Sequence, residues 1–326
     1  MRTHNESGPE ITILECEHEE DEALQIVNEI KDLTERQGYG YKDIALLYRA
    51  NFQSMVIEEV FSREKIPYGI ENGLNFFDRT EVRVLMDYLR FIDDPYSDEG
   101  NEALLSIINI PNRYFGKTFI KELQEEAVKK GISLYETLKG FQTSVYYLRK
   151  GIREFISLMD FLIEEDNKEP SGLIQILRSA LDYDRYVAED DIPTPDDIKV
   201  QNLNQLQMAA GKFRDIGSFL SHAETFRNER DASDDNEDIS DRVALMTIHK
   251  AKGLEFPVVF LIGLIDIIMP TKKGDLDEER RICFVGMSRA MRHLYLSYSK
   301  FYMGQKVNES QFIAEIMKPK KTKKGR

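Results

Sequence analysis

The segment Thr247-Ile248-His249-Lys250-Ala251-Lys252-Gly253-Leu254-Glu255-Phe256-Pro257 gathers groups suited to a phosphorylated ligand. Thr247 and His249 can donate hydrogen bonds to phosphate oxygens, and Lys250 and Lys252 add charge. Glu255, two residues after Gly253, can accept hydrogen bonds from ribose hydroxyls. Residue chemistry alone favours plainer roles for these two: a histidine with local bonds and an exposed loop glutamate. Arg289 lies four positions after Val285 and seven after Ile282, which predicts an inward place on a helix starting near Asp277. An inward arginine needs an anion, because an unpaired buried charge is costly. The anion is either a γ-phosphate, making Arg289 an arginine finger, or an internal carboxylate, which spacing alone favours. Asn51 offers a contact to a sugar-phosphate backbone or, equally in character, a helix cap or turn.

Two motifs only imitate nucleotide chemistry. Phe115-Gly116-Lys117-Thr118 ends like a phosphate-binding loop, but Pro111 stands where its first glycine is required. Asp266 follows an apolar run as a magnesium-binding acid would, yet Ile267 occupies the place of a catalytic glutamate. The chain therefore lacks the parts that hold Mg²⁺ and cradle the β- and γ-phosphates, and alone it is expected not to turn over ATP.

Positioning these groups falls to short apolar runs at residues 243–246, 258–262 and 294–298, each reading as a buried strand. Upstream, residues 11–14 and 44–48 read as strands, and 21–33 and 55–63 as amphipathic helices. Strand, helix, strand, helix predicts a parallel α/β layer. Between residues 81 and 220 nearly every apolar run has helical spacing, and residues 227–241 form an acidic stretch expected to be a mobile loop. The predicted fold is thus an α/β domain with a parallel sheet, interrupted by a mostly α-helical insertion. Its boundaries are 8–77 plus 241–317 for the sheet domain, 78–240 for the insertion and 318–326 for a basic tail.

The 326 residues carry a net charge of −14, which excludes a surface-wide, unaided nucleic-acid binder while leaving a local basic groove open. Two cysteines, Cys16 and Cys283, imply no disulfide framework and fit a reducing cytoplasm. The histidines show no zinc-ligand spacing, and no apolar stretch is long enough to span a bilayer. No signal peptide is expected.

The Thr247–Pro257 segment, together with Glu279-Arg280-Arg281-Ile282-Cys283-Phe284-Val285-Gly286-Met287-Ser288-Arg289-Ala290, closely resembles motifs V and VI of the UvrD/PcrA/Rep-type superfamily 1 DNA helicases. Ile44-Ala45-Leu46-Leu47-Tyr48-Arg49-Ala50-Asn51-Phe52-Gln53-Ser54 is similar to the segment opening their second RecA-like domain, called 2A. Gly73-Leu74-Asn75-Phe76-Phe77-Asp78-Arg79-Thr80-Glu81 looks like the passage from 2A into its helical insertion, 2B. The likeness covers nearly the whole chain, in order. It implies the C-terminal half of an ATP-dependent helicase moving 3′ to 5′ on single strands, with RecA-like (P-loop NTPase-type) architecture. The missing 1A/1B half would carry the phosphate-binding loop and the Mg²⁺, and ATP would lie between the halves. By position, Arg289 resembles the motif VI finger; Gly253 and Glu255 resemble the nucleotide-contacting part of motif V. Asn51, Thr247 and His249 match positions touching single-stranded DNA. Arg113, Gly116 and Thr118 correspond to a 2B segment approaching duplex DNA. DNA repair and a cytoplasmic location accompany the resemblance, with no membrane partner and no ligand expected on this half alone.

This sequence departs from the family pattern in places. Thr271 follows Pro270, where relatives often carry a DNA-contacting histidine, and Ser288 replaces a threonine. The usual Gly-Ile-Gly turn of 2B becomes Tyr114-Phe115-Gly116, whose bulk opposes close backbone approach to a duplex. Two other readings remain: a non-enzymatic DNA- or protein-interaction module derived from a helicase, and a fragment of a helicase-nuclease subunit. The second finds no cysteine cluster or nuclease-type acid set.

Overall fold

The computed structural model describes residues 8–70, 76–165, 168–188, 197–234, 241–271 and 274–317. The chain divides into two compact units, residues 1–74 with 228–326, and residues 75–227. In chain order, the first opens with β1 (Thr12–Cys16), α1 (Glu19–Arg36), β2 (Ile44–Tyr48), α2 (Ser54–Arg63) and β3 (Tyr68–Ile70). Helices follow: α3 (Thr80–Asp93), α4 (Asp98–Ile107), α5 (Lys117–Lys130), α6 (Leu134–Gly140) and α7 (Tyr146–Glu164). Next come α8 (Pro170–Ala180), α9 (Tyr183–Val187), α10 (Ile198–Ala210) and α11 (Ile216–Asp234). Strands then return as β4 (Val243–Thr247) and β5 (Phe256–Leu261), followed by α12 (Leu276–Met287) and β6 (Ala290–Ser299). The hairpin β7 (Phe301–Tyr302) and β8 (Gln305–Lys306) and the helix α13 (Gln311–Met317) end the described chain.

The six-stranded sheet has the order β1-β6-β5-β2-β4-β3, and every pairing is parallel. Alternation explains why its strands read as continuous apolar runs. In β2, Ile44, Leu46 and Tyr48 face one core with Ile26, Ile30 and Phe61 of α1 and α2. Ala45 and Leu47 face the other core with Cys283 of α12 and Phe312 of α13. A strand covered on both faces has no polar side to reveal its period.

α1 begins earlier than its apolar positions indicate, because His18 accepts a hydrogen bond from Asp21 N and four acids fill the first turn. Its buried Glu22 accepts from Gly263 N (2.9 Å) and Ser297 Oγ (2.5 Å), tying the ends of β5 and β6 to the helix. Burial pushes that carboxyl upward, against the pull of those two bonds.

Within the other unit, the described residues form helices only. The acidic stretch expected as a loop from residue 227 is helical as far as Asp234, and residues 235–240 lie outside the described set. Also outside are Gly73, Leu74 and Asn75 of the proposed 2A–2B passage, and the basic tail. Cys16 and Cys283 are free and buried, and burial pushes both thiols up to about 12. Among the described residues no helix is long and apolar enough to cross a membrane.

Candidate functional site

In a parallel sheet every strand points the same way, so two strands joined in sequence begin and end at opposite edges. The connection between β4 and β5 therefore crosses the sheet. Thr247 ends β4 at the carboxyl edge, and Glu255 precedes β5 at the amino edge. Eight residues, 248–255, make that crossing. Their maximal reach of about 26–29 Å covers a strand of average length, ~17–20 Å. Ile248 and Ala251 anchor the crossing in the core, and Gly253 turns it at φ +86°. A Cβ on Gly253 would meet nothing within 4 Å, so its requirement is conformational. One loop thus places Thr247 and His249 at one edge and Glu255 at the other.

The amino edge holds Gly253, Glu255 and Arg289. Glu255 is exposed, and Leu254 beside it is 43% exposed. Arg289 corrects the helical expectation. α12 ends at Met287, and Arg289 sits half-buried in the turn before β6 rather than on the helix's inward stripe. Its carbonyl accepts from Phe256 N at 2.9 Å. Its guanidinium donates to Val285 O (3.0 Å), Leu254 O (3.0 Å) and Ser288 Oγ (2.9 Å). These partners are two carbonyls and a hydroxyl. The positive charge is held in place against the Gly253–Glu255 turn, and no carboxylate among the described residues pairs with it.

At the carboxyl edge, Asn51 opens a 3-10 turn (Asn51–Gln53) directly after β2. Gln53 Oε1 accepts from Ala50 N (2.9 Å), and its Nε2 donates to Ile262 O (3.4 Å). The turn carrying Asn51 is thereby tied to the ends of β2 and β5. A Cβ on Gly263 would lie 2.2 Å from Gln53 Nε2, so glycine is needed there for close approach. Thr247 and exposed His249 stand at the neighbouring end of β4.

Sequence reasoning missed the ion pair that underlies this edge. Arg49 donates to both oxygens of Glu279, Nη2 at 2.7 Å and Nε at 3.1 Å, and Glu279 is 2% exposed. Glu279 also accepts from Thr271 N at 3.2 Å. Burial pushes the Glu279 carboxyl up, but the Arg49 bonds and charge together with Thr271 bring it below the usual range. The only sequence signal is an arginine at a strand end and a glutamate in the first turn of a helix far along the chain.

His249 is lowered, first by desolvation and then by the charges of Arg49 and Lys252, against a smaller pull from Glu279 and Glu278. It is neutral at pH 7 and donates a hydrogen bond rather than a charge. Anion affinity at this edge is expected to rise as pH falls through the lowered His249 pKa, because protonation adds a cation. His249→Gln should remove that step from a pH titration of oligonucleotide binding; an unchanged profile would exclude His249 from the edge's chemistry.

The remaining expected contacts lie in the helical unit. The Arg113 guanidinium is engaged inside the unit. Nη1 lies within hydrogen-bond distance of the carbonyls of Ile107, Ile108, Ile110 and Pro111 at 3.0–3.4 Å. Nη2 reaches Tyr88 Oη at 3.2 Å, and the group lies 5.0 Å from the centroid of Phe155. In this arrangement the arginine braces the turn. Gly116 and Thr118 are exposed where α5 begins. No strand precedes them, which removes the phosphate-loop look-alike. Asp266 pairs with the backbone N and side-chain Nδ2 of Asn308, a loop-closing role. Among the described residues no group of three or more His, Cys, Asp or Glu could hold a metal ion.

Comparison with known proteins gives a concordant result. The UvrD-like helicase C-terminal domain family matches residues 1–301. The ATP-dependent DNA helicase Rep of Buchnera aphidicola subsp. Acyrthosiphon pisum (strain APS) is 34% identical over 307 residues, 89% of this chain and 47% of its own length. DNA helicase II of Rickettsia typhi (strain ATCC VR-144 / Wilmington) is 31% identical, across 96% of this chain and 49% of its own length. The ATP-dependent DNA helicase Rep of Escherichia coli (strain K12) is 31% identical, across 90% of this chain and 45% of its own length. The chain spans about half the length of the curated relatives it matches.

Proposed function

The chain belongs to the UvrD-like helicase C-terminal domain family, and from that premise we propose that it is the 2A/2B part of an ATP-dependent 3′–5′ DNA helicase. It supplies an arginine finger, one wall of an ATP cleft and part of a single-stranded DNA track. The observation that carries this reading is Arg289: a cation fixed by neutral partners beside the turn of Gly253 and Glu255, suited to meet an anion from outside.

The two sheet edges divide the work. At the amino edge Glu255 accepts from a ribose, while Arg289 stabilises charge developing on the γ-phosphate. At the carboxyl edge Asn51, Thr247 and neutral His249 donate to a single strand's backbone. α12 joins them. Glu279 in its first turn is clamped to Arg49 beside Asn51, and Arg289 follows its last turn. ATP supplies the driving reaction and Mg²⁺ its charge neutralisation. Mg²⁺, which rides on the phosphates of ATP, is assigned to a 1A/1B half. Residues 75–227 are read as the 2B insertion, with Gly116 and Thr118 facing duplex DNA.

The isolated chain is expected to show no ATP hydrolysis above background and weak, salt-sensitive binding to single strands. Each phosphate contact contributes a slope of about −0.7 in log affinity against log salt. Turnover by the chain alone that survives Arg289→Ala, or tight binding indifferent to salt, would contradict the assignment.

A further inference from the structure

The turn that gives the helical unit its proposed DNA contact also forms a cleft. A cleft of about 660 Å³ is lined by Asn109, Asn112, Tyr114, Phe115, Gly116 and Tyr147. That volume falls within the roughly 300–1,000 Å³ of pockets that accept drug-sized ligands. Phe115 is 3% exposed and forms an apolar floor, whereas Tyr114 is 73% and Tyr147 56% exposed.

The loop is built to hold those rings out. Tyr114 sits at φ +60°, a conformation costly for a bulky side chain and found where function maintains it. Asn112 Oδ1 accepts from Tyr114 N at 2.8 Å. Asn109 Oδ1 accepts from Arg113 N (2.9 Å) and Phe115 N (3.1 Å). Arg113 braces the same turn from within. α7 approaches closely because position 151 is glycine: a Cβ there would lie 3.0 Å from Phe115 Cε1. Tyr147 stands one helical turn before Gly151 on the same face, which brings its ring to the cleft. Exposed Lys117 opens α5 directly after Gly116, and exposed Lys150, 3.7 Å from Glu154, adjoins Gly151 on α7.

We propose that this cleft is a stacking site for an unpaired nucleobase, received against Tyr114 and Tyr147 over Phe115. Asn109 and Asn112 offer side-chain amides to the base edge, and Lys117 meets a phosphate. The proposal rests on the nucleic-acid reading above. It places beside the duplex contact of Gly116 and Thr118 a side-chain contact to an unpaired base.

The test uses the chain as it stands, with a short labelled oligothymidylate and an abasic oligomer of equal length, followed by fluorescence anisotropy. Tyr114→Ala and Tyr147→Ala should each weaken oligothymidylate binding by roughly 5- to 150-fold, the effect of one lost stack. Their affinity for the abasic oligomer should match that of the unaltered chain. Tyr114→Phe and Tyr147→Phe should retain the affinity of the unaltered chain, separating stacking from misfolding. Equal affinity of the unaltered chain for both oligomers, or alanine variants indistinguishable from it, would overturn the proposal. So would a proline-rich peptide occupying the cleft without base discrimination. Thr247→Ala and His249→Gln report separately on the sheet's carboxyl edge. Loss of binding in these alone leaves the track standing and removes the cleft, whereas loss in the tyrosine variants alone does the reverse.

Discussion

Arg289→Ala is expected to lower ATP turnover by about 10³–10⁵-fold in an enzyme that joins this chain to a phosphate-binding half. The size follows from where the charge sits. The guanidinium is held by Val285 O, Leu254 O and Ser288 Oγ, so it meets a phosphoryl group already oriented. Arg289→Lys should recover little of the rate, because an ammonium cannot hold those three bonds in a planar fork. Affinity for single-stranded DNA should stay within a few-fold, since Asn51, Thr247 and His249 lie at the opposite sheet edge. Steady-state turnover, with DNA binding measured in parallel, checks both halves of the expectation. A loss of both together would mean that Arg289 serves the fold.

The second large effect is on stability. Glu279→Gln is expected to destabilise the sheet unit by about 3–5 kcal/mol, the range for removing one partner of a buried pair. The variant leaves Arg49, whose side chain is 20% exposed, without its anion. The corresponding fall in Tm is roughly 6–20 °C for a unit of this size class. The sign of the pH dependence follows from the lowered Glu279 carboxyl. Its contribution is fully present above the unfolded-state pKa and is lost as pH falls through the folded one. The gap between variant and unaltered chain should therefore narrow in acid. Thermal melts at neutral and acidic pH measure it; a gap constant across that range would exclude the ion pair as its cause.

Much of the sheet was legible because its strands are buried on both faces and read as unbroken apolar runs bounded by polar turns. β3 was not: it has three residues, and Gly69 leaves no pattern. The hairpin β7–β8 has two residues per strand, too short to show a period. The crossing of the sheet by residues 248–255 could not be read from the two apolar runs, because a polar loop between them suits a hairpin as well, and the crossing follows only from both strands pairing parallel to β2. Arg289 illustrates the limit of spacing. Apolar periodicity continues through Val285, yet the chain turns at Ser288, and side-chain direction then depends on carbonyls from β5's approach. Arg113 shows the same limit in reverse: its neighbours in sequence are polar, but four turning carbonyls claim its guanidinium. Arg49 and Glu279 meet only once β2 and α12 pack on one sheet.

Transition-state analogue binding tests the role of Arg289 most directly. ADP with aluminium fluoride should bind tightly, in the presence of single-stranded DNA, to a protein joining this chain to its phosphate-binding half. Arg289→Ala should lose most of that affinity while binding a non-hydrolysable ATP analogue nearly as before, because the arginine's contribution grows with charge in the transition state. Equal affinity of both proteins for the aluminium fluoride complex would contradict the account.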